Sequence, residues 1–183
     1  MHGSNSKGDS RMTIGERRAT AGLSFIFGLR MLGLFLILPV FALYGAELDG
    51  ATPMLVGLAI GAYGLTQALL QIPFGMLSDR IGRRTVIVIG LVIFAIGSVV
   101  AAEAQGIIGV IVGRAIQGCG AIAAAVMALA ADLTRDAQRT KAMAFIGISV
   151  GAAFLLALVA GPAIGAASGL SGIFWATAGI ALV

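Results

Sequence analysis

The chain has 183 residues, is 59% hydrophobic and only 11% charged, and has a mean hydropathy of +1.04. A soluble domain carries about 25% charged residues, so this composition excludes an ordinary water-soluble domain and indicates an integral membrane protein. The net charge of +4 and the pI near 10.0 would suit a nucleic-acid binder, but the basic residues sit between long apolar runs, which argues against nucleic acid as a partner.

In chain order, residues 1–12 open with MHGSNSKGDSR, which is polar, rich in Gly and Ser, and reads as a disordered leader. The apolar run behind it is about twice the length of a signal-peptide core of about 7–15 residues, so no cleavable signal is expected. Thr13-Ile14-Gly15-Glu16 has the Thr-x-x-Glu spacing of a capping box and predicts a helix start. Six apolar spans are then predicted, at about 18–44, 54–77, 85–102, 107–131, 141–166 and 170–183, forming one all-α bundle over 13–183. A crossing needs about 20 residues at about 1.5 Å each. Five spans satisfy this, the third with a residue or two of flank. The sixth reaches the end of the sequence after about 14 residues and is expected to be truncated. Pro39, Pro73 and Pro162 should bend their helices. The pairs Gly57/Gly61, Gly147/Gly151 and Gly161/Gly165 are expected to mark close helix packing.

The charges predict orientation. Lys7, Arg11, Arg17 and Arg18 precede the first span; Arg80, Arg83 and Arg84 follow the second; Arg135, Arg139 and Lys141 follow the fourth. The loops between carry Glu47, Asp49 and Glu103 and no Lys or Arg. The positive-inside rule then places the N-terminus and both basic loops in the cytoplasm. Arg30 and Arg114 fall inside spans. An arginine at the bilayer centre costs about 2.5–3.5 kcal/mol on insertion scales, so each should face the bundle interior, water or a partner. The alternative is snorkelling to a membrane edge. Gln117 lies one turn after Arg114 on the same face, and Tyr63, Gln67 and Gln71 recur every four residues as a polar stripe. Arg30, Tyr63, Gln67, Gln71, Arg114 and Gln117 are therefore candidate cavity residues. The glutamines suit interhelical hydrogen bonds equally well. One cysteine, Cys119, and one histidine, His2, permit neither a disulfide within the chain nor a metal cluster, and no nucleophile–base pair is present. No cofactor and no enzymatic activity are expected.

The stretch GMLSDRIGRRT carries Gly75, Leu77, Asp79, Arg80, Gly82, Arg83 and Arg84 in the pattern G-x-L-x-D-R-x-G-R-R, in the predicted loop between the second and third spans. This resembles motif A of the major facilitator superfamily. Arg114, Gln117, Gly118 and Gly120, in RAIQGCGA, resemble the fourth-helix motif B. Gly161, Pro162 and Gly165 resemble motif C of the drug/proton antiporter branch, with Ala157 and Ala166 where that motif usually has glycine. Gly33 and Pro39-Val40 resemble the first-helix motif of the same branch. The resemblance covers Met12 to the end of the sequence.

The resemblance implies a fold of twelve helices in two halves, with this chain as the N-terminal six-helix half, built from two inverted three-helix repeats. It further implies a secondary active transporter of the bacterial inner membrane: a proton-coupled antiporter that exports a small molecule, drug or sugar-like, by alternating access. The expected partners are the small-molecule substrate, protons, the lipid bilayer and a C-terminal six-helix half. A carboxylate at a membrane edge can cap a helix N-terminus. The family assigns that role to the motif A aspartate, which makes Asp79 a conformational latch on the other half and Arg83 a partner of Asp132. Arg80 and Arg84 would serve orientation or lipid phosphates. The competing reading is that the loop only sets topology, for which three arginines suffice without the aspartate or the glycines. A second functional reading is a non-transporting membrane fragment or assembly module that needs a partner half. The incomplete sixth span argues against a half-transporter that pairs with itself.

Overall fold

A computed structural model of the chain describes residues 11–183; the proposed leader, with His2 and Lys7, lies outside them apart from Arg11 and Met12. Six helices follow in order: α1 (Ile14–Tyr44), α2 (Pro53–Ile81), α3 (Arg83–Ala102), α4 (Ile107–Cys119), α5 (Ala123–Asp132) and α6 (Asp136–Ala181). The capping box forms as the spacing suggests: the Glu16 amide donates to the Thr13 hydroxyl at 3.2 Å, and the Thr13 amide donates to the Glu16 carboxylate at 2.7 Å. Thr52 caps α2, with Pro53 in its first turn. At 31 residues α1 is about 46 Å long, well beyond a hydrocarbon core of about 30 Å.

Among the described residues five elements are long and apolar enough to cross a membrane, with α4 and α5 counting as one. Two expectations need correction, the unbroken fourth span and the loop after the second. The predicted fourth span is not one helix: it breaks at 120–122, between α4 and α5, where the Gly120 backbone turns to φ −75°, ψ 53°. The predicted fifth and sixth spans both lie in α6, which is two helices meeting at a kink at Gly169 (φ 66°, ψ −165°), between the predicted 166 and 170. A glycine suits that backbone because φ is positive. The stretch from Gly75 to Thr85 is not a loop. Helix α2 continues to Ile81, α3 begins at Arg83, and Gly82 alone, at φ 97°, joins them. Asp79 therefore lies in the last turn of α2 and not beyond its end.

The core has two main clusters. In one, Leu36, Ile37, Val40 and Phe41 of α1 meet Ala101, Ile107, Val110, Ile173 and Phe174. In the other, Leu23, Phe27 and Met31 meet Val86, Ile122, Val126 and Ile146. Close approach depends on small residues. A methyl group at Gly113 would lie 2.6 Å from the Ala101 amide nitrogen, and one at Gly97 would lie 2.7 Å from the Gly113 carbonyl oxygen, so α3 and α4 pack backbone to backbone. The expected glycine pairs divide. Gly161 and Gly165 pack on α1: a methyl group at Gly161 would lie 2.9 Å from the Leu36 carbonyl oxygen, and one at Gly165 would lie 3.0 Å from Val40. Gly57, Gly61, Gly147 and Gly151 have nothing within 4 Å, so within the described residues they are not packing sites. Helix α2 buries only Ala59, Ala62, Tyr63 and Ser78 along its 29 residues.

Candidate functional site

Two polar clusters stand out against the apolar bundle. The first lies mid-bundle. Arg30 and Arg114 are each only 1% exposed and rank among the largest fully buried side chains. They lie over the same ring: the guanidinium carbon of Arg30 is 5.9 Å and that of Arg114 is 4.8 Å from the Tyr63 ring centre. Arg30 also lies 5.2 Å from the Phe94 ring centre. A cation on a ring face is attracted by the ring's quadrupole, and more strongly where water is excluded. Such contacts partly offset the cost of burying charge.

Hydrogen bonds supply the rest, and they go to backbone carbonyls and glutamine side chains alike. Arg30 donates from Nη2 to the Gly120 carbonyl at 2.7 Å, and makes a long 3.4 Å contact with Gln67 Oε1. The Gly120 carbonyl lies at the α4–α5 break, so the arginine supplies a donor where the helical pattern is interrupted. Arg114 donates to the Ala59 carbonyl at 3.3 Å and to Gln117 Oε1 at 2.9 Å. Gln117 Nε2 in turn donates to the Ser98 hydroxyl at 2.7 Å, which donates to the Phe94 carbonyl at 2.8 Å. Gly118 lets α4 approach the Tyr63 backbone, and Thr66 Oγ1 lies 2.9 Å from the Ala115 carbonyl across the same seam. Arg30 Nε and Nη1, the Tyr63 hydroxyl and Gln71 Oε1 are buried with no hydrogen-bond partner among the described residues. Chemically, the cluster offers buried donors to an acceptor-bearing molecule.

The second cluster lies at the end carrying the basic residues. Arg83, the first residue of α3, contacts Asp79 in the last turn of α2, lies 3.4 Å from Asp132 at the end of α5, and donates to the Ser78 hydroxyl at 2.6 Å. Ser78 donates to the Gly75 carbonyl at 2.6 Å. The first turn of α3 has no acidic residue of its own and opens with Arg83 and Arg84. Asp79 and Asp132 supply the negative charge that a helix N-terminus favours. The Asp79 side chain remains 60% exposed, while Arg83 is at 24%. Arg80 and Arg84 are exposed. Nearby, Glu16 accepts from the Arg135 amide at 2.9 Å and from Arg135 Nε at 3.0 Å, tying the start of α1 to the start of α6.

The structure thus gathers Arg30, Tyr63, Gln67, Arg114 and Gln117 into one cluster and places Gln71 one turn further along α2. Gly161, Pro162 and Gly165 lie elsewhere, on the α1–α6 seam beside Pro39 and Val40. Sequence reasoning passes over Ser78, Phe94 and Ser98. A serine four residues after Phe94 carries no periodic signal, because its hydroxyl satisfies its own helix's carbonyl. Glu16 is legible only as a cap. Its pairing with Arg135 is separated by 119 residues and leaves no local trace.

Comparison with known proteins agrees with these features. The family model described as Major Facilitator Superfamily matches residues 23–183. The chain is 61% identical over 179 residues to the inner membrane transport protein YajR of Escherichia coli strain K12, covering 95% of this chain and 39% of that protein. It is 46% identical over 168 residues to an uncharacterized transporter of Buchnera aphidicola subsp. Schizaphis graminum, covering 92% of this chain and 43% of the relative. It is 31% identical over 146 residues to the quinolone resistance protein NorA of Staphylococcus aureus strain Mu50, covering 78% of this chain and 36% of the relative. The chain therefore spans about two fifths of the length of the curated relatives it matches. On this family match, the motif A pattern and the apolar helices, the chain is a multi-pass membrane protein that belongs to the major facilitator superfamily.

Proposed function

We propose that the chain is the N-terminal half of a proton-coupled antiporter that moves a small molecule by alternating access across a bacterial inner membrane. Counting α4 with α5 as one span, and α6 as two spans about Gly169, supports the reading of a six-helix half, which such transporters build from two inverted repeats. The N-terminus and the basic end face the cytoplasm by the positive-inside rule. The match to proteins named as an inner membrane transport protein and a quinolone resistance protein supports this reading. So do the four open glycines and the sparse burial of α2, which leave surface for a second half.

The observation that carries the mechanism is the exposed Asp79 carboxylate, steadied by Arg83 and largely free on its other side. In the proposed cycle Asp79 caps a helix start in the second half in one state and releases it in the other. Protonating the carboxylate weakens the latch and so couples proton entry to rocking. Acidic residues among the described ones lie at helix ends or in loops, and Asp79 is among them. The mid-bundle arginine cluster, with its unpartnered donors, supplies the polar wall of the substrate cavity. The test is proteoliposome transport under an imposed pH gradient, using the longer transporter that carries this segment. Asp79→Asn should abolish proton-driven transport and leave membrane insertion intact. Unchanged transport would refute the latch. The 183-residue chain alone should be inactive, and saturable transport by it would refute the half-transporter reading.

A further inference from the structure

A cleft of about 480 Å³ opens between α1 and α6 at the basic end. It lies between two places where those elements touch. On one side Glu16 holds Arg135. On the other a methyl group at Gly28 would lie 3.3 Å from the Ser149 side chain. The cleft is lined by Arg11, Arg17 and Lys141, by Thr20 and Ser24, and by the apolar Met12, Ala21 and Phe145. Arg17, Thr20, Ala21 and Ser24 share one face of α1, since they are three or four residues apart. Lys141 and Phe145 are spaced by four on α6 and form the facing wall.

Two facts make this more than a basic surface. Thr20 is 3% and Ser24 9% exposed, yet Thr20 Oγ1 and Ser24 Oγ have no hydrogen-bond partner among the described residues. A buried hydroxyl left unpaired is costly, and native structures rarely keep two side by side. Three cations also line the cleft, and no carboxylate does among the described residues. Glu16, next to Arg17 in the chain, is engaged by Arg135. Orphan hydroxyl donors at the base of a cationic mouth match the needs of a phosphoryl oxyanion, which takes several charge-assisted hydrogen bonds at once. Water could pair the hydroxyls, but an anion pairs them and is also favoured by the positive lining.

The geometry points to a phosphate-ester binding site in this cleft, recognising the phosphoryl group of an anionic phospholipid or of a free phosphate. Phe145 and Ala21 offer an acyl chain a surface beside the headgroup. The site is distinct from the Asp79–Arg83–Asp132 cluster and does not depend on the transport proposal.

The test uses the purified chain in nanodiscs and in detergent. Native mass spectrometry reads retention of phosphatidylglycerol against phosphatidylcholine, and calorimetry reads binding of inorganic phosphate. Thr20→Val with Ser24→Ala keeps every charge and removes both hydroxyls. Arg17→Gln with Lys141→Gln removes charge and keeps the hydroxyls. Arg18→Gln with Arg139→Gln removes the same charge outside the cleft and serves as control. The proposal expects retention of phosphatidylglycerol over phosphatidylcholine by at least about tenfold, a loss of about that size in both cleft variants, and no change in the control. Phosphate binding without lipid preference, lost in the same two variants, supports the site with a free ligand. Binding that falls equally in the control, or survives loss of both hydroxyls, overturns it as diffuse surface attraction. Absence of binding by either ligand overturns it outright. Circular dichroism of each variant, with Arg17→Lys as a rescue, separates lost binding from lost folding.

Discussion

The seam between α2 and α4 makes a sharp demand on residue 118. A methyl group added at Gly118 would come closer to the Tyr63 carbonyl oxygen and to Thr66 Oγ1 than any real methyl group does. Helices α2 and α4 must then separate. Separation breaks the contact of Thr66 with the Ala115 carbonyl, about 1 kcal/mol, and the charged bond from Arg114 to the Ala59 carbonyl, about 1.5–3 kcal/mol. Against this, alanine gains about 1 kcal/mol of helix propensity over glycine. The net cost of Gly118→Ala is about 1.5–3 kcal/mol, or roughly ten- to a hundredfold in the unfolding equilibrium. Gly147→Ala is the matched control, because nothing lies within 4 Å of a methyl group there. It should be neutral or stabilise by up to about 1 kcal/mol. Equilibrium unfolding of the chain in mixed micelles, followed through the single tryptophan, Trp175, measures both. A Gly118→Ala protein as stable as the parent, beside a destabilised Gly147→Ala protein, would show that the seam is not as close as described.

Other outcomes follow from the same contacts. Ser98→Ala removes the acceptor of Gln117 Nε2 inside the bundle, and should cost about 1–3 kcal/mol in the same unfolding assay. Glu16→Ala removes the acceptor of the Arg135 amide, so hydrogen exchange over 133–139 should quicken while exchange in α3 stays as it was. Arg83→Lys keeps the charge but loses the planar fork that reaches Asp79, Ser78 and Asp132 together. In the longer transporter it should slow transport without altering the amount inserted, and Arg84→Lys, at an exposed position, should do neither.

Much of this was legible in the sequence, and the parts that were not have physical reasons. Apolar length located the membrane-crossing segments because a bilayer constrains length directly. The Thr13–Glu16 spacing gave the helix start because a cap is local. Arg114 and Gln117 were readable as one face because a helix repeats every 3.6 residues. The break at 120–122 was not readable. Its residues are apolar or small, and the helix stops there because α3 and Arg30 meet its backbone, which is a tertiary cause. The continuity of α2 almost into α3 was missed for the opposite reason. Charge suggested a loop, but Asp79, Arg80 and Arg83 are all compatible with helix, and only the positive φ of Gly82 interrupts it. The open glycines show the limit of a small-residue pattern: it marks where a neighbour can come close and does not say that one is present in this chain.

The bond from Arg30 to the Gly120 carbonyl has a consequence for inheritance. Replacing the arginine alone leaves the Gly120 carbonyl with the Ile122 amide as its donor, at 2.9 Å, whereas restoring a regular helix at 120 alone strands one more donor of a guanidinium whose Nε and Nη1 have no partner among the described residues. Repair of the helix is therefore the costly step while the arginine remains, so a lineage changes the arginine first or both together. Among descendants of such a chain, the identity of residue 30 and the shape of the backbone 90 residues later should travel as a single character.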